Sequence, residues 1–374
     1  MKFKIQSKTF LSKLSAVSKV VNSKNVLSIL DNFLFQLEGD TLTVTASDAE
    51  NTIISRISVD DAEGQGSFAV NVKYILEALK CLPDQLLSFD INDDNLEINI
   101  NYRNGNFNFI AVNAAEFPQK ESIENEGEST TIMVPAKEIA KGISKTIFAV
   151  AVNEDMRPQM MGIYWDIKPD SIIFVASDTH KLARYINKNI TTGVERSVIM
   201  PTKPAALLQN FLPNDDSQVK GVINDNGAYF ETDTFSLNCR FIKGSYPNYA
   251  SVIPTNNPFT LTIDRECILN AVRRVSVFAS VGGLVKFELS LDTIQLRSQD
   301  IDFSTSAQEA VSCDYKGESM IIGFNDGHLI ELFANINSDN IVLQLSDPSR
   351  ACVFLPDEQD ENEDFLVLLM PMYI

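Results

Sequence analysis

Histidine is almost absent from this sequence of 374 residues: there are two, His180 and His328, and none of the five cysteines stands at C-x-x-C spacing. Histidine and cysteine supply most transition-metal ligands, so a zinc or iron centre has little to be built from. Cys81, Cys239, Cys267, Cys313 and Cys352 are odd in number and scattered. That argues against a disulfide framework and points to reduced, mostly buried thiols. Also missing are the glycine-rich dinucleotide fingerprint, the P-loop, the H-E-x-x-H pair and the G-x-S-x-G elbow, and with them the common seats of enzymatic chemistry. His180 follows Asp178 by two residues and could pair with it as a base. So close a spacing rarely forms a dyad and no nucleophile accompanies it, so a turn or surface histidine is favoured. His328, at the start of an apparent helix, makes no stronger case. Asp215 with Asp216, and the acidic run from Asp357 to Asp364, lack the spaced oxygen ligands of a cation loop and read as solvated. The expectation is a protein without catalytic residues, metal or cofactor. No apolar run reaches the roughly 18 residues of a membrane-spanning helix, and nothing after Met1 resembles a signal peptide. The expected location is the cytoplasm, with no membrane partner.

Negative charge is what the chain has in excess: 50 acidic against 31 basic side chains, net −19. An acidic chain is ordinarily a poor partner for nucleic acid. Yet from Met1 to Leu30 there is no acidic residue and there are six lysines, Lys2, Lys4, Lys8, Lys13, Lys19 and Lys24. Length, with 44% apolar and 22% charged residues, suits two or three globular domains.

Three segments repeat one pattern. "TLTVTASDAE", "SIIFVASDTH" and "TIQLRSQDID" align on Asp48, Asp178 and Asp300. At the same offsets, "FAVNVKYILEALKCLP" falls on "VIMPTKPAALLQNFLP" and on "MIIGFNDGHLIELFAN". The openings "FKIQSKTFLSKL", "IMVPAKEIAKGI" and "LTIDRECILNAV" align Lys8, Lys137 and Arg265. Each copy reads as a strand, a helix, several strands, a second helix and more strands, an α+β unit with antiparallel sheets. The acidic stretch 121–130 and the Pro- and Asn-rich stretch 252–258 separate the copies. The expected domains are 1–125, 126–254 and 255–374.

The first helix of each copy pairs an apolar face with a basic one. Leu11, Leu14 and Val17 stand against Lys8, Lys13 and Lys19; Ile139, Ile143 and Ile147 against Lys137, Lys141 and Lys145. In the third copy Ile268, Ala271, Val272 and Val275 stand against Arg265, Arg273 and Arg274. One lysine face is ordinarily just a solvated surface. Three at one repeat position in an acidic chain favour a shared polyanion facing them.

The segments "CRFIKGSYPNYASVIP" (239–254), "ASDTHKLARY" (176–185) and the terminal "LLMPMYI" resemble the bacterial DNA polymerase III beta subunit family, the replicative sliding clamps. The resemblance spans the whole chain. It implies three clamp domains per chain and a head-to-tail homodimer closed into a ring, with helices lining the hole and sheets outside. It implies duplex DNA as a sequence-independent partner, held by the basic helix residues Lys8, Lys13, Lys19, Lys137, Lys141, Lys145, Arg273 and Arg274. Lys24 and Arg157 match family positions that contact DNA. It further implies docking of the polymerase III catalytic subunit, the clamp loader and other proteins carrying a clamp-binding motif. Matched residue by residue, their pocket comprises Met160, Thr179, His180, Lys181, Leu182, Pro247, Val252, Asn325, His328, Leu369, Met370, Pro371 and Met372. Where the family commonly has Gly-His-Arg-Leu, this chain has Thr179-His180-Lys181-Leu182, and a position commonly Phe is Gly282. Phe107 and Phe109, in the alternating "NFNFIAV", match the family's dimer interface, facing the region of Val277 and Phe278. The alternative is a three-repeat protein-binding scaffold that encircles no DNA.

Overall fold

The computed structural model describes residues 1–374 except 23, 24, 26, 119–122, 124–126 and 154. Each expected opening folds as read: a strand runs straight into a helix three times. Lys2–Gln6 leads into α1 (Ser7–Val17), Thr130–Pro135 into α3 (Ala136–Thr146) and Phe259–Asp264 into α5 (Arg265–Ser276). The second helices follow the strands Gly66–Asn71, Arg196–Pro201 and Met320–Asn325, and are α2 (Val72–Lys80), α4 (Thr202–Phe211) and α6 (Asp326–Asn335). Several of these helix starts are fixed by the last strand residue. Asn71, Asp264 and Asn325 each accept backbone N–H bonds from the first turn of α2, α5 and α6, which ends the strand and satisfies otherwise orphaned donors.

The repeated aspartate has the same job in every copy. Asp48 Oδ1 accepts from the N–H of Glu50 and Asn51, at 3.0 and 2.7 Å. Asp178 Oδ1 accepts from His180 and Lys181, at 2.9 and 2.8 Å, and Asp300 Oδ1 from Asp302 and Phe303, at 2.9 and 3.2 Å. A short acceptor side chain closes its own turn and reverses the chain into the next strand.

The sheets are antiparallel throughout, and the molecule divides into two compact units, Met1–Lys137 with Lys203–Phe241 and Glu138–Thr202 with Ile242–Ile374. The first holds a five-stranded sheet and an eight-stranded one; the second holds a nine-stranded sheet and a four-stranded one. This division cuts the second repeat because sheets run on from copy to copy. In unit 1, Phe235–Arg240 pairs with Thr52–Ser58; in unit 2, Glu363–Leu369 pairs with Lys181–Asn187 from Lys181↔Leu369 to Asn187↔Glu363. The core of unit 1 is aromatic, with Phe3 stacked on Phe89 at 4.5 Å and Phe10 edge-on to Phe89. Trp165, Phe174 and Tyr185 fill that of unit 2.

The cysteines correct the sequence reading. All five are free, but only Cys239 and Cys352 are buried; Cys81 and Cys267 are exposed and Cys313 lies between. Burial pushes the thiols of Cys239 and Cys352 up to about 12. Cys81 and Cys267 escape it because one stands just past the end of α2 and the other on the open side of the first turn of α5.

Candidate functional site

The uncharged terminal segment explains itself once its neighbours are known. The strand Glu363–Leu369 lies inside the nine-stranded sheet, between Lys181–Asn187 and Cys352–Pro356. Both of its faces are covered, so Phe365–Leu369 are all buried and the run is continuously apolar rather than alternating. Leu366 and Leu368 join Val175, Leu182, Ala351 and Val353 in one cluster, over which Tyr164, Tyr246, Tyr249 and Ile253 pack. Tyr246 stacks on Tyr164 at 5.0 Å, which seats Pro247 and the exposed Val252 beside that cluster.

Beyond Leu369 the chain leaves the sheet. The Met370 N–H donates to the His180 carbonyl at 2.8 Å, and the Met372 N–H to the Gly323 carbonyl at 2.8 Å. The tail therefore bridges from the Asp178 turn to the strand before α6, with Met370 exposed and Pro371 and Met372 half-buried along the way. Asn325 ties in as well, capping His328 and donating to the carbonyl of Gly282 at 3.2 Å. Thr179, His180, Lys181, Asn325, His328 and Leu369–Met372 are thus brought together. Met160 is buried at the end of a short turn, and Leu182 is buried in the cluster that holds Leu366 and Leu368.

A buried charge sits at the centre. The Lys181 side chain is 6% exposed, and its ammonium donates to Asp178 Oδ2 at 2.7 Å and contacts Glu331 Oε2 at 3.0 Å and His328 Nδ1 at 3.2 Å. Burial works to raise the Asp178 carboxyl, but hydrogen bonds from Lys181 and the turn N–H groups hold it below its ordinary value. His180 and His328 stack, 5.8 Å between ring centroids. Thr179 carries φ +76°, a left-handed conformation that a β-branched residue adopts only under constraint. The glycine common there in the resembling family would sit without strain.

The basic helix residues divide. Lys8, Lys19 and Arg273 are exposed and Lys13 is half-buried, with Lys19 donating to Asn210 at 3.0 Å. Arg274 is exposed and paired with Glu309 at 2.9 Å, Arg157 is exposed, and Lys24 lies outside the described residues. The stripe on α3, read from its spacing as a cationic face turned to a shared polyanion, is half-buried and engaged by the protein's own groups. Lys137 pairs with Asp216 at 2.7 Å, Lys141 pairs with Glu363, and Lys145 lies 4.8 Å over the Phe365 ring. Burial, with Lys141 beside it, lowers the Lys145 ammonium pKa. The reason is tertiary: Asp216 and Glu363 come from remote segments that helical periodicity cannot see.

Models of three successive domains cover the chain: the N-terminal domain of the DNA polymerase III beta subunit matches residues 1–121, its central domain residues 131–248 and its C-terminal domain residues 250–373. The chain belongs to the DNA polymerase III beta subunit family. Its function is that of a DNA sliding clamp. The beta sliding clamps of Pseudomonas aeruginosa and Caulobacter vibrioides are 25% and 28% identical to it, each alignment covering the whole of both chains. Among solved structures, the Pseudomonas aeruginosa clamp bound to griselimycin superposes with a TM-score of 0.90 at 24% identity, over all of both chains. The beta subunit of Thermotoga maritima gives 0.88 at 24% identity, over 100% of this chain and 99% of that one. These two likenesses establish the α+β clamp fold. Processivity factors of this family are not catalysts. Among the described residues no helix is long and apolar enough to cross a membrane.

The residues expected at a dimer interface fall at a sheet edge in the first repeat and just past α5 in the third. Gly105–Ile110 is an outermost strand of the five-stranded sheet and, among the described strands, pairs only with Glu97–Tyr102. Phe107 and Phe109 stand opposite Ile100 and Ile98, so they share the core-facing side and are half-buried. The outward side at this edge is Ile110, 75% exposed, which sequence alternation had not singled out; Tyr74 on α2 is 72% exposed nearby, and both line a cleft of about 460 Å³ with Phe109 and Val112. In unit 2, Val277 and Phe278 are exposed just past α5, and Thr305–Ser312 is the open edge of the four-stranded sheet.

Proposed function

We propose that two copies of this chain close head to tail into a ring around duplex DNA, each contributing three domains, 1–125, 126–254 and 255–374. The observation that carries the reading is a pair of unfinished sheets. Two sheets run on across the repeat junctions as eight and nine strands, whereas the five-stranded sheet is built from the first repeat alone and the four-stranded one from the third alone, with Gly105–Ile110 and Thr305–Ser312 as edge strands. Open edges invite pairing with another chain. Gly105–Ile110 of one copy against Thr305–Ser312 of the next makes a sheet as wide as the nine-stranded one. Ile110, Tyr74, Val277 and Phe278 then leave water at the seam, with Phe107 and Phe109 behind them.

Lys8, Lys13, Lys19, Lys24, Arg157, Arg273 and Arg274 hold phosphates without reading sequence, and the rest of a chain whose net charge is −19 repels DNA that is not threaded. Lys137, Lys141 and Lys145 add to the field while staying anchored to the protein. The groove of Met370, Pro371, Met372, Val252, Pro247 and the His180 turn takes the short apolar peptides of the polymerase III catalytic subunit, the clamp loader and other replication and repair proteins, since flexible thioethers adapt to related ligands. The protein tethers polymerase at the primer end and catalyses nothing itself. It works in the cytoplasm, where the chromosome is copied.

The competing reading, a protein-binding scaffold that encircles nothing, gains from the half-burial of Lys141 and Lys145. One experiment decides. After loading on nicked circular duplex and filtration in moderate salt, a ring stays with the circle and runs off once the circle is cut. A protein that is lost equally from both, or that binds linear ends directly, is not a clamp.

A further inference from the structure

The chain's two histidines come from different repeats yet meet in the groove, their rings 5.8 Å apart and 23° from parallel. We propose that His328, His180 and Lys181 form a proton-sensitive latch, holding the groove ready for an apolar peptide at neutral pH and releasing the peptide in mild acid. This rests on the groove reading above.

An ammonium has three donors and no acceptor. Lys181 directs them to Asp178 Oδ2 at 2.7 Å, Glu331 Oε2 at 3.0 Å and His328 Nδ1 at 3.2 Å. The last of these bonds exists only while Nδ1 keeps its lone pair, so His328 is neutral with its proton on Nε2. A second proton leaves donor facing donor and sets a cation between Lys181 and the stacked His180. The charged groups facing His328 are Lys181 and Asp178 from the turn and Glu331 from its own helix, with His180 beside it. Both carboxylates are already engaged by Lys181. Burial first, then Lys181, holds His328 below its usual 6.5 despite them. The strain reaches the tail directly. The His180 carbonyl carries the Met370 N–H, and the Asn325 cap that holds His328 ends the strand whose Gly323 carbonyl carries the Met372 N–H.

Two measurements on the full chain test this. With only two histidines, carbon-edited NMR gives two ring titrations. His328 should titrate below 6.5, and Lys181→Met should move its midpoint upward. A midpoint that ignores Lys181→Met overturns the latch. Anisotropy of a labelled synthetic apolar peptide should show affinity falling about fivefold or more from about pH 7.5 to about pH 5, and His328→Phe or His328→Gln, each compared with its own affinity at the higher pH, should flatten that profile. A flat wild-type profile, or a steep one that survives both substitutions, overturns the latch and leaves the groove standing. A peptide that binds at no pH overturns the groove reading, and the latch with it.

Discussion

Asp48 shows how much one side chain of the repeated turn can hold. It is almost fully buried, and Lys203 at the start of α4 donates to it at 2.6 Å while also donating to the Val20 carbonyl and Asn22 Oδ1, each at 2.6 Å. Burial pushes the Asp48 carboxyl up, but the bonds from Lys203 and Asn51 outweigh it and the group ends below its ordinary value. A depressed carboxyl pKa contributes stability that is present above the unfolded value, about 3.9, and lost as pH falls through the folded one. Lys203→Met should therefore cost roughly 1.5–3 kcal/mol at neutral pH, the worth of a hydrogen bond to a charged group. The gap between mutant and wild-type melting curves should close as pH drops below about 4; a gap unchanged in acid would show that the lysine acts by packing. Thr179 is the opposite case, a residue held against its preference at φ +76°. Thr179→Gly should raise stability by about 0.5–1 kcal/mol, strain relief exceeding the added chain entropy, and a lower melting temperature would refute the strain argument.

At the scale of elements, α3 behaves differently from α1 and α5. Because Lys141 meets Glu363 and Lys145 lies over Phe365, reversing them sets carboxylate against carboxylate in a half-buried place. Lys141→Glu with Lys145→Glu should lower the melting temperature as well as DNA retention. Lys8→Glu with Arg273→Glu, both exposed, should leave melting unchanged and reduce the salt slope of DNA binding by about 0.9 for each phosphate no longer neutralised. Equal melting losses in the two pairs would contradict the anchored stripe. The edge strand divides similarly between its faces. Ile110→Asp should yield a folded monomer by sedimentation. Phe109→Ser should lose stability as well, because its ring shares the core-facing side with Ile98 and burying a Phe is worth roughly 1.5–3 kcal/mol. If Ile110→Asp remains dimeric, the seam lies elsewhere.

For the whole molecule, the tail is the simplest part to remove. Deleting Met370–Ile374 leaves the buried strand Glu363–Leu369 in place and removes two backbone bonds, to His180 and Gly323. The expected melting change is small, about 1–2 kcal/mol at most, while peptide affinity is lost and the circle experiment is unaltered. A truncated chain that binds peptide as before would remove the tail from the groove.

The three openings, the Asp48–Asp178–Asp300 turns and the six helices were legible in the sequence because each depends on periodicity or capping within a few neighbouring residues, and the chemistry recurs at fixed offsets. The uncharged end could be seen as well, though not that five of its residues lie inside a sheet with both faces covered. Tertiary structure alone decided which partner each charge meets. Lys181 and His328 are 147 positions apart, and Glu363 reaches Lys141 across 222. It also decided that Cys81 and Cys267 stay exposed and that Ile110, not Phe107 or Phe109, faces outward at the edge. Local sequence sets backbone dihedrals and the faces of elements, but burial and ion pairing depend on distances between remote segments, which exist only once the sheets have paired.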